Sequence, residues 1–232
     1  TKIAPVDITL TTPGTAQNLF LINPDEPTVN IATNPSFETG APPTGYVASG
    51  AAIAQSAVVA RTGTNSLRIT PNNAAAGEGA YWTTPALGSR NDGQNRYLVV
   101  SAFFNDNAGS GNGARIVIAD TSGVTLVNGN TVTLAAAWNR STAAIRLTQT
   151  GTQYRIYFVT ATQFPTVFYV DSFQPEISDS GNATTYCDGD RGVNYEWDGT
   201  ANASTSRRRK DIVAIRGYNL HVTRNLYFAY DN

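Results

Sequence analysis

The stretch over residues 30–40, which reads Asn-Ile-Ala-Thr-Asn-Pro-Ser-Phe-Glu-Thr-Gly, constrains the fold of this chain more than any other feature. Pro35 has a fixed φ and keeps Asn34 out of the helical region, and Gly40 allows the chain to leave with a positive φ. The stretch therefore predicts a short strand that runs into a forced turn. We expect Phe37 to anchor this turn in a hydrophobic core.

The composition of the chain favours strands over helices. Only 14% of the 232 residues are charged, and Lys and Glu, which usually fill helix surfaces, are scarce. Residues 97–104 form the clearest strand, and because apolar side chains fall on both of its faces, we expect both faces to be covered. The pair Asn128-Gly129 predicts a hairpin turn, since both residue types tolerate positive φ. The chain is therefore predicted to be all-β.

Charge and hydropathy limit the partners of this chain. The formal net charge of −1 gives no reason to expect a nucleic-acid partner. No run of about 18 apolar residues occurs, so we expect no membrane insertion, and the polar first residues do not have the pattern of a signal peptide. The sequence contains no Met, which indicates either a removed initiator or a piece of a longer chain.

Four segments, in order, resemble jelly-roll carbohydrate-binding modules. Residues 30–40 are similar to the Asn-x-x-x-Asn-x-x-Phe-Glu-x-Gly start of those modules, and residues 61–69 resemble their Gly-x-x-Ser-Leu strand. Trp138 precedes a strand as their mid-chain Trp does, and residues 168–173 resemble their closing strand. The resemblance covers residues 29–177 and implies a jelly-roll β-sandwich.

A second resemblance follows the polar stretch at residues 178–182, which predicts a linker. Residues 186–190 read Tyr-Cys-Asp-Gly-Asp, residues 197–200 read Trp-Asp-Gly-Thr and residues 204–206 read Ser-Thr-Ser. This series resembles a segment of the minor tail proteins of tailed bacteriophages, with Cys187 in place of their usual Phe. The resemblance implies a structural protein of the virion.

Three parts of the chain are predicted. They are an extended N-terminal arm over residues 1–28, the jelly roll over residues 29–177 and a small β C-terminal segment over residues 178–232. The arm contains four prolines, which lack the backbone N–H that a strand ladder needs, so we expect the arm to dock on a partner. In a phage tail, the arm and the C-terminal segment would assemble with other virion proteins and with copies of this chain, as a homo-oligomer.

The predicted function is non-enzymatic. The single histidine, His221, lies in an alternating segment, and the chain has no nucleophile elbow; Cys187 is interpreted as a small, half-buried thiol. The chain is predicted to be a virion component that displays a jelly roll suited to host-surface polysaccharide. The alternative is a secreted, extracellular carbohydrate-binding module of a polysaccharide-degrading enzyme, which accounts for residues 29–177 but not for the segment after them.

Aromatic side chains are the candidates for sugar binding, because such modules stack exposed rings on pyranose faces. An aromatic residue in an alternating strand also suits a core or an interface, and both interpretations stay open from sequence alone. The candidates are Trp82, Tyr81, Tyr46 and Tyr157.

Two carboxylates are candidates for a structural calcium ion. In the modules that this chain resembles, the opening Phe-Glu turn and the Asp of the closing strand share such an ion, which implies Glu38 and Asp171 here. Hard oxygen ligands suit calcium. The alternative is that Glu38 caps its own turn and that Asp171 accepts backbone hydrogen bonds.

The run Arg-Arg-Arg-Lys at residues 207–210 is the one dense cluster of charge. Most such runs are solvated, and a contact to an acidic neighbouring subunit is the second interpretation.

Overall fold

The structure is a computed structural model that describes residues 28–88, 96–148, 152–192 and 195–208. All of these residues belong to one unit, Glu26–Lys210. The predicted arm up to residue 27 and the segment from residue 209, with His221, lie outside the described residues. Every regular element in the described ranges is a strand, so these ranges hold no helix that could span a membrane.

The described ranges contain fourteen strands. They are β1 (Thr28–Asn30), β2 (Tyr46–Ser49), β3 (Ala51–Ser56), β4 (Ser66–Pro71), β5 (Gly79–Thr83), β6 (Tyr97–Asn105), β7 (Gly113–Ala119), β8 (Thr125–Asn128), β9 (Val132–Thr133), β10 (Asn139–Arg146), β11 (Arg155–Thr160), β12 (Phe168–Ser178), β13 (Tyr195–Trp197) and β14 (Ser206–Arg208).

Two antiparallel sheets form the body of the fold. One has five strands in the order β10-β6-β12-β4-β3. The other has six strands, with the order β2-β5-β11-β7-β8 and with β9 paired to β7. Except for the consecutive pairs β3-β4 and β7-β8, neighbours in both sheets are not consecutive in sequence, as in a jelly roll, so the predicted all-β jelly-roll sandwich is confirmed.

The core lies between the two sheets and is rich in aromatic rings. Phe37 is fully buried, with its ring centroid 4.7 Å from that of Tyr46, which confirms its predicted role as the anchor of the opening turn. Gly40 has a φ of +84°, as predicted. Phe37 itself has a φ of +59°, a conformation that bulky residues rarely adopt, so packing of its ring holds the turn in a strained backbone.

The central strand β6 is covered on both faces, as its sequence predicted. Leu98 and Val100 project into the core and are fully buried. Val99 and Ser101 project outward from the same strand, yet each is only 1% exposed. A further layer of chain therefore covers the outward side of the five-stranded sheet.

That layer includes a small third sheet of order β1-β14-β13 and the segment that precedes β13. The Asn30 amide donates hydrogen bonds to the carbonyls of Phe173 and Cys187, both at 2.9 Å, and the Cys187 N–H donates to the Gln174 side chain at 2.5 Å. Thr184 donates its N–H and its hydroxyl to the Glu176 carboxylate, at 2.8 and 2.6 Å. These buried bonds join residues 184–187 to β12. The domain boundary predicted at residue 177 stays a prediction.

Cys187 is more deeply buried than its sequence predicted. It has no exposed surface, and burial raises the pKa of its thiol to about 12. The thiol is therefore protonated and unreactive at neutral pH.

The pair Asn128-Gly129 does not form the predicted hairpin, because β8 and β9 both pair with β7. Neither residue is among those with a positive φ. A Cβ atom on Gly129 would lie 2.5 Å from the Thr142 carbonyl oxygen. Gly129 is therefore required by a close approach of two backbones, and the hairpin prediction was wrong.

The described part of the basic run makes contacts within its own chain. Arg207 forms an ion pair with Asp198, and its Nε lies 3.8 Å from a Glu196 oxygen. Arg208 is only 8% exposed and lies opposite Thr28 in the third sheet. These two arginines thus help to close the third sheet.

Candidate functional site

Two of the predicted sugar-binding residues lie side by side on the outward face of the six-stranded sheet. Tyr81 of β5 is directly opposite Tyr157 of β11, and both side chains are partly exposed. Their ring centroids are 5.1 Å apart with an interplanar angle of 40°. The next residue along the same row is Val47 of β2, which is 48% exposed. The row forms an apolar surface that is open to solvent.

Alternation along each strand places these rings outward. Trp82, which follows Tyr81, points into the core, and Ile156 and Phe158, which flank Tyr157, are fully buried. Because consecutive side chains in a strand point to opposite faces, the tyrosines must point away from the core. The buried neighbours therefore fix the direction of the exposed pair.

A glycine permits the close pairing of these two strands. Gly79 lies opposite Val159, and a Cβ atom on Gly79 would sit 1.8 Å from the Phe158 carbonyl oxygen. Any larger residue would therefore push β5 away from β11. Gly79 thus maintains the register that sets Tyr81 against Tyr157.

Arg155 lies beside the two rings, although the sequence analysis did not single it out. Its guanidinium carbon is 4.9 Å from the centroid of the Tyr81 ring, within the range of a cation–π contact. A side-chain hydrogen bond to Tyr157 raises the pKa of Arg155 above its ordinary value. The spacing Arg155-x-Tyr157 puts both residues on one face of a strand, and this was the signal in the sequence.

A tight turn forms one edge of this surface. In the turn over residues 120–124, Gly123 has a φ of +91°, and a Cβ atom there would lie 3.3 Å from the Tyr157 hydroxyl and 3.7 Å from Arg155 Nη1. The Asp120 carboxylate holds the turn by accepting the N–H groups of Ser122 and Val124, each at 2.9 Å. The outward face is therefore bounded on this side by backbone.

The other two aromatic candidates belong to the core. Tyr46 and Trp82 are each 6% exposed, and both rings pack against Phe173. The Tyr46 hydroxyl donates a hydrogen bond to the Asn34 carbonyl at 2.9 Å. Both rings are satisfied by contacts inside the sandwich, so they do not extend the outward surface.

Glu38, one of the two predicted calcium ligands, binds a neighbouring loop. Its Oε1 accepts the N–H groups of Thr64 and Asn65, both at 2.8 Å. Its Oε2 accepts the Thr64 hydroxyl at 2.7 Å and the Asn65 amide at 2.9 Å. These bonds lower the pKa of Glu38 although partial burial opposes them. Glu38 therefore caps the loop over residues 61–65 and not its own turn.

Asp171, the second predicted ligand, binds the start of the same loop. It is fully buried, and its oxygens accept the N–H groups of Arg61, Thr62 and Ser172. Burial raises the pKa of Asp171 to about 7, and these hydrogen bonds limit the rise. Acceptance of backbone hydrogen bonds by this residue was one of the two interpretations from sequence.

Most of the donors around both carboxylates are backbone N–H groups, which cannot ligate a cation. In addition, no cluster of three or more acidic, His or Cys residues that could hold a metal occurs among the described residues. The arrangement does not fit a calcium ion without displacement of the loop over residues 61–65. The family resemblance implies calcium at these residues, whereas their hydrogen bonds lead us to expect a fold that does not depend on it.

No protein-family model matches the sequence, and no curated protein matches it. Solved structures do match. A Stig cyclase, Fisc from Fischerella sp. TAU, has a TM-score of 0.52 at 14% identity, over 65% of this chain and 98% of the cyclase. Arabinose-bound MgGH51 α-L-arabinofuranosidase has a TM-score of 0.51 at 13% identity, over 65% of this chain and 26% of that protein.

Carbohydrate-binding modules are also among the structural neighbours. The N-terminal CBM22-1-CBM22-2 tandem domain of Xyn10C from Paenibacillus barcinonensis has a TM-score of 0.50 at 20% identity, over 74% of this chain and 54% of the tandem. This chain thus spans about half of the tandem and about a quarter of the arabinofuranosidase. At these identities the likeness establishes the fold alone, and the matched proteins include binding modules and enzymes.

Proposed function

We propose that this chain is a non-catalytic carbohydrate-binding protein and that the outward face of the six-stranded sheet binds the glycan. The observation that carries the proposal is the pair of partly exposed rings, Tyr81 and Tyr157, on the outward face of this sheet. Sugar rings present flat C–H faces to which aromatic rings bind, and the phenol hydroxyls supply polar contacts at the rim.

The contrast between the two outward faces supports this choice of surface. The third sheet covers the middle of the outward face of the five-stranded sheet, where Ser101 and Gln174 have almost no exposed surface, whereas Tyr97 and Arg146 at one end of that face remain in contact with solvent. The outward face of the six-stranded sheet keeps Val47, Tyr81 and Tyr157 in contact with solvent. A glycan chain is accordingly placed on the six-stranded sheet.

The state of the buried carboxylates supports a binding role over a catalytic one. Glu78 accepts the N–H groups of residues 73–75, and Asp106 accepts those of residues 108–110. Asp171 and Glu38 are engaged in the same way by residues 61–65. A glycosidase needs two carboxyl groups that face a substrate, and these four groups face backbone.

The comparisons favour the secreted, extracellular module over the virion protein. The tail-protein interpretation depends on the resemblance of residues 186–206 alone, and the comparisons give it no support. We therefore propose that the protein binds polysaccharide outside the cell. Assembly with other virion proteins or with copies of this chain stays a prediction.

Affinity electrophoresis through gels that contain soluble polysaccharides tests the proposal. Neutral xylan, β-glucan and galactomannan and acidic polygalacturonate and alginate form the panel. We expect at least one polymer to retard the protein, and the double variant Tyr81→Ala, Tyr157→Ala to weaken binding by about tenfold or more, as for loss of aromatic anchors. Tyr97→Ala is the matched control, because Tyr97 is a partly exposed tyrosine on the other sheet. Migration unchanged by every polymer, or equal binding by the double variant, contradicts the proposal.

A further inference from the structure

We propose that the glycan bound by this face is acidic and that Arg115 and Arg155 bind its carboxylate groups. This inference rests on the proposed function and adds the chemical class of the ligand.

The charge of the six-stranded sheet is entirely positive. The strands β2, β5, β7, β8, β9 and β11, all of them described, contain no Asp or Glu. Their only charged residues are Arg115 of β7 and Arg155 of β11. Both alternate with core residues, so both project from the outward face. An anionic ligand on this face meets two cations and no carboxylate within the sheet.

The nearest acidic residues along the chain are engaged in turns. Asp120, which follows β7, accepts two backbone N–H groups within its own turn, and it also contributes to the electrostatic environment of Arg155. Glu78, which precedes β5, is 5% exposed and accepts three backbone N–H groups. Backbone hydrogen bonds hold both carboxylates in their turns, and the charge of Asp120 offsets part of the positive charge of Arg155.

The two arginines flank the tyrosine row. In the pairing of β11 with β7, Arg155 lies opposite Ala119, Tyr157 opposite Val117 and Val159 opposite Arg115. Each arginine is thus two positions along the strands from the row of Tyr157, a distance of about 7 Å. A sugar ring stacked on the tyrosines would have one guanidinium on each side, and a chain of acidic sugars could present a carboxylate to both.

Arg115 has an unused hydrogen-bond donor. Its Nε is buried, and it has no hydrogen-bond partner. Buried donors in folded proteins are almost always paired, because an unpaired one loses its bonds to water without compensation. A carboxylate can satisfy this buried donor only if the side chains that cover it move aside on binding, and the planar guanidinium of Arg suits two-point binding of that group.

Arg155 is already oriented for the same role. Its contacts with the Tyr81 ring and the Tyr157 side chain hold the guanidinium beside the proposed sugar platform. An arginine that stacks on an aromatic ring keeps its edge free for hydrogen bonds to a ligand. Binding would therefore require little further ordering of this side chain, and the loss of conformational entropy would be small.

Isothermal titration calorimetry with matched polymers tests the charge of the ligand. Polygalacturonate, alginate and hyaluronan are each compared with the same polymer after reduction of its carboxyl groups to hydroxymethyl groups, which keeps the backbone and removes the charge. We expect at least one acidic polymer to bind about tenfold or more tightly than its reduced form, with an affinity that falls as salt is added.

Single variants test the residues. Arg115→Gln and Arg155→Gln should each weaken binding of the acidic polymer by about tenfold more than they weaken binding of the reduced polymer. Arg146→Gln, at an exposed position on the five-stranded sheet, removes the same charge and should have no effect. Arg115→Gln should not lower the unfolding temperature, because it removes an unpaired buried donor.

The outcomes separate this inference from the proposed function. Equal binding of acidic and reduced polymers, with loss of both in the Tyr81→Ala, Tyr157→Ala variant, overturns the acidic ligand and keeps the proposed function. Normal binding of the acidic polymer by both arginine variants also overturns the inference. Binding of no polymer, acidic or neutral, overturns the proposed function and the inference together.

Discussion

The Asp171 carboxylate accepts two hydrogen bonds from Thr62, one from the backbone N–H at 3.0 Å and one from the hydroxyl at 3.2 Å. The two residues are 109 positions apart in the sequence. Through these bonds the closing strand β12 holds the loop over residues 61–65, which in turn binds Glu38 of the opening turn. The opening and the closing motifs of the jelly roll are therefore joined through a shared loop.

We expect the free energy of unfolding to fall as pH rises from about 4 to about 7. Burial raises the pKa of Asp171 to about 7 in the folded chain, whereas an unfolded Asp has a pKa of about 3.9. Between these values the folded chain holds a proton that the unfolded chain has released. The stability from this group is therefore complete below pH about 4 and lost as the pH passes about 7, with a loss of at most about 4 kcal/mol. Urea unfolding at a series of pH values measures it.

The variant Asp171→Asn is the control for this slope, since it has no group to titrate. Burial also raises the pKa of Asp188, so a smaller slope of the same sign should remain in the variant. Hydrogen bonds outweigh burial and lower the pKa values of Glu38, Glu78 and Asp106. The contribution of these three groups to the stability of the fold is therefore lost only at more acidic pH. A wild-type stability that rises from pH 4 to 7, or an equal slope in the variant, contradicts this assignment.

We expect the same unfolding temperature in millimolar calcium and in chelator. Each oxygen of Glu38 already accepts two hydrogen bonds from Thr64 and Asn65, and Asp171 is similarly satisfied. Differential scanning fluorimetry of metal-free protein makes the measurement. A site that bound calcium would instead stabilise the fold by about 2.7 kcal/mol at 100 times its dissociation constant. That result would show that the ion displaces the loop over residues 61–65.

Replacement of Phe37 by Ala should lower the free energy of unfolding by about 3–5 kcal/mol, as for other large aromatic residues in cores. The Phe37 ring is fully buried, whereas Trp197, in the small third sheet, is partly exposed. We therefore expect a smaller loss for Trp197→Ala than for Phe37→Ala. Denaturant titrations followed by circular dichroism compare the two, and equal losses would contradict the expectation.

The same titrations test the boundary predicted at residue 177. Buried and partly buried hydrogen bonds join Thr184 and Cys187 to Gln174 and Glu176 of β12, so we expect the described unit to unfold in one transition. If the C-terminal segment is a separate domain, limited proteolysis of Trp197→Ala will release a stable fragment that ends near residue 180. A single transition with no such fragment argues for one unit.

Local chemistry allowed the sequence to predict much of this fold. The opening turn followed from Pro35 and Gly40, and the two covered faces of β6 followed from its apolar alternation. The positive φ of Phe37 had no local signal, because core packing imposes it. The third sheet could not be predicted from sequence either, because β1 pairs with β14 at the other end of the described chain.

Two of the four aromatic candidates, Tyr81 and Tyr157, lie on the candidate surface, and the other two lie in the core. Alternation required Tyr81 and Trp82 to point to opposite faces, but it could not decide which of the two faces the core. The core contacts of Trp82 with Phe173 decide it. Arg155 was missed although its spacing from Tyr157 was a local signal. Arg115 was missed because its position beside the tyrosines depends on the pairing of β7 with β11, which no local pattern contains.

Nuclear magnetic resonance of protein with ¹³C-labelled tyrosine rings shows which sheet binds the glycan. A short oligosaccharide from the polymer that binds in the gel assay is titrated into the labelled protein. If the six-stranded sheet binds the glycan, the ring signals of Tyr81 and Tyr157 shift in proportion to saturation, whereas those of Tyr97, on the other sheet, and Tyr46, in the core, stay in place. Shifts at Tyr97 with none at Tyr81 and Tyr157 would put the glycan on the wrong sheet and contradict the account.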